Sequence, residues 1–207
     1  MDIGEPIKSL GPVDVEALSK RILAQEQGAW YEQEQRQNEY DVHRYTESIV
    51  LVFTDGAGWP NIEVSKQPGW GRLVEVAMPL MHGIISSSYP AGGTIIRAMA
   101  AKLLAGGKIK PHRDAHPSFH YSHRIHVPIT TNPRVRFMID GRPYRMEVGQ
   151  GYEINNQKVH SVMNKGAEDR ITFIFDYVPP GGHASASEPS VNVPGGGVEA
   201  EQEKLLL

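Results

Sequence analysis

The sequence predicts a mainly β fold, a sandwich or barrel of the jelly-roll kind preceded by helices. From residue 94 onward, short apolar runs follow one another with turn signals between them. Several short strands at such spacing are typical of this fold class. Before residue 94, apolar residues recur at helical spacing, and near residue 180 the chain becomes rich in Gly, Ser and Pro. We therefore predict one domain with a helical layer, a jelly-roll core and a flexible tail, over residues 1–93, 94–179 and 180–207 respectively.

The N-terminal part contains two helical patterns and one strand pattern. Val15–Leu23 has apolar residues at helical intervals and predicts a first helix. Gly28–Tyr40 is rich in Gln and Glu and is too polar for the core. Ile49–Phe53 is β-branched and aromatic, so it predicts a buried strand. Val74–Ile85 predicts a second helix.

Five apolar runs predict the strands of the core. Turn signals separate them, among them Asp140-Gly141, which is typical of a tight hairpin, and the pair Gly149 and Gly151. The first run contains the Ala-rich Met99–Leu104, for which propensity alone predicts a helix, but its position among strands favours a strand. The runs are Ile95–Leu104, Ser122–Thr130, Val135–Ile139, Tyr144–Val148 and Ile171–Val178.

Composition excludes several kinds of chemistry. The chain has no cysteine, so it has no disulfide, zinc-thiolate site, iron–sulfur cluster or Cys nucleophile. Its 21 Lys+Arg against 24 Asp+Glu give no reason to expect binding to nucleic acid or an anionic membrane. The first residues lack the pattern of a secretory signal, and the apolar runs fall short of the roughly 20 residues of a membrane span. We expect a cytoplasmic protein.

The histidines are concentrated in one segment. Five of the nine lie between residues 112 and 126. We interpret His116, His120 and His123 as surface imidazoles. His112 differs because Asp114 follows two residues later, and side chains two apart on an extended segment project to the same side. This pair can bind one metal ion.

His160 supplies a third ligand of the right type. It stands well downstream, just before an apolar run, and in an antiparallel jelly roll a later strand can lie beside an earlier one. Two imidazoles and one carboxylate form the facial ligand set of non-haem iron(II), which leaves coordination positions open.

Two arginines and a further histidine could bind an anionic cosubstrate near the metal. Alternation along the last strand puts Arg170 on one face and Phe173 and Phe175 on the other. An arginine inside a small barrel is costly unless an anion meets it, and a guanidinium can bind a carboxylate bidentately. A salt bridge at the strand end, for example to Asp169, is the alternative.

Arg124 and His126 also share one strand face, while Ile125, Val127 and Ile129 take the other. The pair could bind a second carboxylate of the cosubstrate. A surface-exposed pair is an equal alternative.

Four short motifs together resemble the aspartyl/asparaginyl β-hydroxylase family of iron(II)- and 2-oxoglutarate-dependent oxygenases, which have a double-stranded β-helix (cupin-like) fold. The resemblance covers about residues 94–178 and is carried by Pro111-His112-Arg113-Asp114, Arg124-Ile125-His126, His160–Asn164 and Asp169-Arg170-Ile171.

The resemblance implies a role for each matching residue. His112 and His160 match the family's iron ligands, and Arg170 matches the arginine that binds the distal carboxylate of 2-oxoglutarate. Arg124 and His126 match the pair that contacts the carboxylate near the iron. The best-known animal members lack an acidic ligand at the position of Asp114 and are membrane-anchored. This chain has the acid and looks more like bacterial members, some of which hydroxylate free amino acids.

The implied cofactors are iron(II), 2-oxoglutarate and O2, and the implied reaction hydroxylates an unactivated C–H bond with release of succinate and CO2. The substrate would be an amino acid or a residue within a peptide. Two other functions remain open. One is a non-catalytic metal-binding cupin module. The other is a zinc-dependent hydrolase built on the same three ligands, although it leaves Arg124 and Arg170 without a task.

Overall fold

The computed structural model describes residues 1–32, 45–55, 59–182, 185–187 and 191–192. Within these residues β-strands outnumber helices, and the two α-helices lie in the N-terminal half: α1 (Glu16–Leu23) and α2 (Gly69–Ser88). The strands are β1 (Ile7–Pro12), β2 (Thr46–Asp55), β3 (Asn61–Lys66), β4 (Thr94–Leu103), β5 (Lys108–His112), β6 (His123–Thr130), β7 (Val135–Ile139), β8 (Arg142–Tyr144), β9 (Gln150–Ile154), β10 (His160–Asn164), β11 (Arg170–Val178), β12 (Ser185–Ser187) and β13 (Val191–Asn192).

The strands form two sheets. The larger sheet runs β1-β9-β6-β11-β4-β2-β3-β12, and β13 also pairs with β4. The smaller sheet runs β5-β10-β7-β8. All the pairings are antiparallel except that of β12 with β3. The predicted fold class, a mainly β double-stranded β-helix of the jelly-roll, cupin-like kind, is confirmed.

Side-chain alternation gives the larger sheet two different faces. On β11, Phe173 and Phe175 join a fully buried cluster that includes Leu73 and Met81 of α2, so this face is covered by the helices. The residues that alternate with them, Arg170, Thr172 and Ile174, lie on the opposite face, as the sequence predicts. A second cluster, built around Phe137, Ile139 and Val162, lies on the smaller sheet. Polar side chains of the larger sheet are therefore buried on the side away from the helices.

Several local predictions are wrong. A strand was predicted at Tyr144–Val148, but β8 ends at Tyr144, so the two share only that residue. Gly151, predicted to lie in a turn, pairs with Gly11 inside β9. The described part of residues 1–93 contains three strands besides the helices, although only the one at Ile49–Phe53 was expected.

Two predictions fall partly outside the described residues. For Gly28–Tyr40, predicted to be too polar for the core, residues 33–40 lie outside, and Trp30 is buried at 4% exposure. The predicted tail, residues 180–207, is described only at residues 180–182, 185–187 and 191–192, the last two as short strands. None of the helices in the described part of the chain has both the length and the apolarity needed to cross a membrane.

Candidate metal and cosubstrate site

Two histidines from neighbouring strands face each other in the smaller sheet. His160 begins β10 and lies opposite His112, the last residue of β5. Their ring centroids are 4.4 Å apart. The strand register therefore brings together the two imidazoles that the sequence singled out.

Both imidazoles are held in the form that binds a metal through Nε2. The Nδ1 of His112 lies 2.8 Å from the Lys110 carbonyl oxygen, and the Nδ1 of His160 lies 3.0 Å from the Lys158 carbonyl oxygen. Since a carbonyl only accepts, each Nδ1 carries the proton and donates it, which leaves each Nε2 with a free lone pair. Burial lowers the pKa of His160 below 6.5 and so favours its neutral form.

Asp114 completes the group from the segment after β5. Its Oδ1 lies 3.8 Å from the Nε2 of His112 and 3.9 Å from the Nε2 of His160. One ligand atom from each of the three residues lies within 4.8 Å of the others. The backbone N–H of Asp114 donates to the Asn156 carbonyl oxygen at 3.4 Å, which ties this segment to the loop before β10.

The electrostatics of Asp114 suit a bound cation. Burial raises its pKa, but the nearby positive charge, that of Arg124 foremost, outweighs burial and holds the pKa below its usual value. Its Oδ2 is buried without a hydrogen-bond partner among the described residues, and its 3.5 Å contact with Arg124 Nε is an ion pair only. An ionised carboxylate beside two free imidazole lone pairs is the donor set of the two-His-one-carboxylate iron sites. The residues present thus fit such a metal.

Arg170 is a buried cation at the start of β11. It is only 6% exposed, and its guanidinium lies 5.7 Å from the centroid of the Phe137 ring. No carboxylate in the described ranges pairs with it. Asp169, the predicted alternative partner, accepts a hydrogen bond from the backbone of Ala105 at 2.8 Å instead.

Burial lowers the pKa of Arg170 to about 10, so the guanidinium remains charged at neutral pH. The side chain lines a cavity of about 420 Å³ beside β7 and β8. A charged guanidinium without a counter-ion at the wall of a cavity is suited to receive an anion.

His126 and Arg124 are both buried, so the surface-exposed alternative for this pair is wrong. Burial first, and then Arg124 and Arg170, lower the pKa of His126 well below 6.5. Neither ring nitrogen of His126 has a hydrogen-bond partner within the described residues. This neutral ring thus has one N–H donor and one acceptor to offer.

Arg124 is engaged by two carboxylates. Its Nη1 lies 3.2 Å from Asp176 Oδ2, and its Nε lies 3.5 Å from Asp114 Oδ2. Burial lowers its pKa, but the two carboxylates outweigh that effect and raise it, so Arg124 is permanently charged. Arg124 therefore links the metal-ligand group to the interior of the larger sheet, and its predicted contact with the cosubstrate stays a prediction.

Sequence reasoning missed Asp176 and Arg97. The same Asp176 Oδ2 lies 3.3 Å from Arg97 Nη1, so one carboxylate serves two guanidinium groups. Arg97 also donates to Ser118 Oγ at 2.9 Å and stacks 4.6 Å from the Phe119 ring centroid. Two signals were available: Asp176 lies on the same strand face as Arg170, and Arg97 interrupts an apolar run.

Two of the three histidines interpreted as surface imidazoles have defined partners. His116 Nδ1 accepts from the Ser118 backbone N–H at 3.2 Å and caps a short 3-10 helix. His123 Nδ1 lies 2.6 Å from Glu153 Oε1. These two side chains are half-buried, whereas His120 is exposed.

The chain has a 2OG-Fe(II) oxygenase-like fold with a His-Asp-His group that could hold a metal ion. The aspartyl/asparaginyl beta-hydroxylase family model matches residues 15–180, and the chain belongs to that family. No curated protein matches the chain.

Solved structures of oxygenases share the fold. An oxidoreductase of the 2OG-Fe(II) oxygenase family from Burkholderia pseudomallei has 13% identity and a TM-score of 0.52, over 70% of this chain and 72% of that chain. The non-heme monooxygenase ThoJ in its nickel complex has 15% identity and a TM-score of 0.54, over 86% of this chain and 75% of that chain. Its apo form gives 14% and 0.53 over the same shares. At these identities the likeness concerns the fold alone.

Proposed function

We propose that the protein is an iron(II)- and 2-oxoglutarate-dependent dioxygenase. It hydroxylates an unactivated C–H bond of an amino acid, free or within a peptide, with release of succinate and CO2. The observation that carries this proposal is the combination of two ligand-ready imidazoles beside Asp114 with the unpaired, buried guanidinium of Arg170. The family membership of the chain supports the same reading.

In this proposal His112, Asp114 and His160 hold the iron. The bound iron and 2-oxoglutarate supply the oxidising power, through oxidative decarboxylation of the cosubstrate coupled to reduction of O2. The hydrogen bonds from the two Nδ1 atoms to backbone carbonyls fix the ring orientations and keep both Nε2 atoms unprotonated. The ligand pair is therefore in place before the metal arrives.

Arg170 binds the distal carboxylate of the cosubstrate in this proposal. Its planar fork can donate two parallel hydrogen bonds, which fixes the carboxylate in orientation as well as position. Phe137 connects this receptor with the metal ligands. The Phe137 ring lies 5.7 Å from the Arg170 guanidinium and stacks on His160 at 6.4 Å.

His126 binds the second carboxylate of the cosubstrate in the same scheme. Because its pKa lies well below 6.5, the ring is neutral and can donate one N–H without adding a positive charge to an interior that already holds Arg124 and Arg170. Arg124 keeps Asp114 ionised and aligned through their 3.5 Å contact.

The rival functions use less of the site. A non-catalytic cupin module or a zinc hydrolase would account for the three ligands but not for the burial of Arg170 without a counter-ion. An unpaired internal cation reduces stability, so a function that brings an anion to it explains the residue better.

The proposal is tested anaerobically, by adding iron(II) and then 2-oxoglutarate and recording the weak visible charge-transfer band of the chelate. We expect the band in the native protein and its loss in His160→Ala. In Arg170→Ala, we expect the 2-oxoglutarate concentration for half-maximal absorbance to rise about 100-fold, since two charge-assisted hydrogen bonds together contribute about 3 kcal/mol or more.

Matched controls are His120→Ala and Arg142→Ala, because both side chains are exposed and lie outside the group of ligands. Both should keep the native band and the native titration. A folded, metal-loaded native protein that shows no band would refute the proposed function. If the band is present, candidate substrates can be screened, and the substrate is the compound that yields succinate and a product heavier by one oxygen atom.

A further inference from the structure

The cavity beside Arg170 reaches solvent at one end. Residues of the loop between β6 and β7, of β7 itself, and of β8 and the segment after it line the cavity. Among these residues Arg136 and Arg145 are exposed, whereas Phe137 and Arg170 are buried. We call Arg136 and Arg145 the rim arginines. The cavity therefore leads from the rim arginines at the surface to the buried guanidinium of Arg170.

The rim of the cavity is positively charged. Arg136 Nη1 donates to the backbone carbonyl oxygens of Pro133 at 2.8 Å and Val135 at 3.1 Å, which holds this guanidinium at the rim. The side chain of Arg145 is 79% exposed, and its 3.6 Å ion pair with Glu147 is screened by solvent. None of the described residues that line the cavity carries a carboxylate. A cleft lined by charges of one sign raises both the local concentration and the association rate of a ligand of opposite charge.

The proposed metal ligands lie beyond the inner end of the cavity. None of them is among the described residues that line it. Phe137 belongs to both regions, because it lines the cavity while its ring stacks on His160 at 6.4 Å and meets the His126 ring edge-on at 5.8 Å. A cosubstrate with one carboxylate on Arg170 and its other end at the metal therefore runs along the Phe137 ring.

The two ends of this path differ in charge. At the metal end, the carboxylates of Asp114 and Asp176 are paired with the guanidinium groups of Arg97 and Arg124, so these four charges balance. At the other end the rim arginines precede the unpaired guanidinium of Arg170. A dicarboxylate arriving from solvent is therefore attracted more strongly to the rim than to the metal end.

We propose that the rim arginines form an outer binding subsite for a dicarboxylate, through which 2-oxoglutarate reaches Arg170 and succinate leaves. The inference rests on the proposed function for the identity of the ligand, but capture of a dicarboxylate at the rim does not require the metal. 2-Oxoglutarate enters with its keto-acid end first, and its trailing carboxylate stays on Arg170. The substrate to be hydroxylated approaches from the metal end, so the two molecules do not compete for one opening.

The test uses the absence of cysteine from the sequence. Arg145→Cys places a single thiol at the rim, which can be labelled with a methanethiosulfonate reagent that carries either a sulfonate or a trimethylammonium group. The two labelled forms have the same polypeptide and differ mainly in charge, so a difference between them does not reflect folding. Arg113→Cys, labelled with the same two reagents, is the matched control. Its side chain is exposed and lies at the metal end, between His112 and Asp114 in the chain.

The measurement is the association rate of succinate with the metal-free protein, from NMR relaxation dispersion of the Met146 methyl group. Met146 lines the cavity, and its sulfur lies 4.0 Å from Arg170 Nη2. At low ionic strength we expect the sulfonate form of Arg145→Cys to associate with succinate about 10-fold more slowly than the trimethylammonium form. This difference should shrink as salt is added, because salt screens exposed charges. The two labelled forms of Arg113→Cys should associate with succinate at nearly equal rates.

The inference is overturned if the two labelled forms of Arg145→Cys associate with succinate at the same rate, or if the Met146 methyl group does not respond to succinate. It is also overturned if the charge of the label at residue 113 changes the rate more than that at residue 145, since the dicarboxylate then enters at the metal end. The band of the iron and 2-oxoglutarate chelate tests the proposed function separately. A protein that shows the band without a charge effect at residue 145 refutes the outer subsite alone. A charge effect without the band refutes the proposed function alone.

Discussion

Replacing Asp176 with Asn should destabilise the protein strongly. Asp176 is fully buried, and its Oδ2 lies 3.3 Å from Arg97 and 3.2 Å from Arg124, which are themselves 5% and 9% exposed. Removing one partner of a buried ion pair costs about 3–5 kcal/mol, because the other charge remains buried without compensation. Here one carboxylate compensates two cations, and among the ion pairs of the described residues Arg124 alone of the two has a second one, with Asp114.

We therefore expect Asp176→Asn to lower the free energy of unfolding by about 3–5 kcal/mol. For a chain of this size that corresponds to a fall of about 6–20 °C in Tm. The measurement is urea denaturation of the metal-free protein. The double variant Asp176→Asn/Arg97→Met should lose less than the sum of the two single losses, by about 1 kcal/mol or more, since the second change removes a cation that the first left unpaired.

Asp140→Asn is the matched control. Asp140 forms an exposed ion pair with Lys158 at 2.9 Å, and its side chain is 50% exposed. Asn also tolerates the left-handed backbone of that turn, where φ is 52°. This change should alter stability by less than about 1 kcal/mol. A loss for Asp176→Asn no larger than that for Asp140→Asn would show that the shared carboxylate does not hold the two arginines.

Three further results are expected. Metal at about 100 times its Kd for the native protein should raise the free energy of unfolding by about 2.7 kcal/mol, as measured by thermal denaturation. An equal rise in Asp114→Ala at the same metal concentration would exclude Asp114 as a ligand. Because burial depresses the pKa of His126 well below 6.5, the unfolded state binds the extra proton, so stability should fall as the pH drops below about 6.5, by up to about 1.4 kcal/mol per pH unit from this side chain. Urea titrations at several pH values should show a shallower fall in His126→Gln, and an unchanged slope would contradict the assignment. Gly93→Ala should destabilise the protein, because a Cβ there overlaps the Val178 carbonyl oxygen, whereas Gly71→Ala, an open helical position, should stabilise it by about 0.5–1 kcal/mol in the same unfolding assay.

The strands of the core could be predicted where burial is reflected in local composition. The Ala-rich segment of β4 is a strand against its helix propensity, because Ala98 and Ala100 lie fully buried in the cluster shared with α2. Small side chains there leave room for the covering helix, and this tertiary packing outweighs the local preference.

The missed strands have weaker local signals. β1 ends in Gly11-Pro12 and lies at the edge of the larger sheet, where it pairs with β9. Proline and glycine are tolerated at such an edge but weaken the sequence pattern. β9 contains Gly151, which looks like part of a turn until its partner strand is known. Pairing with a distant strand, rather than local propensity, decides both cases.

The candidate site was predictable where spacing along one strand was enough. The spacing of two residues on an extended segment predicted that His112 lies beside Asp114. Strand alternation predicted that Arg170 lies in the interior. Asp176 and Arg97 could not be paired from sequence, because their contact depends on the register between β4 and β11.

The three proposed metal ligands differ in how the fold positions them. His112 and His160 are cross-strand partners, so the hydrogen bonds of the β5–β10 ladder fix both at once. Asp114 lies beyond β5 and is tied to the fold by one backbone hydrogen bond to Asn156. A substitution at Asp114 therefore leaves the strand pairing unchanged, whereas a substitution at either histidine alters a cross-strand pair.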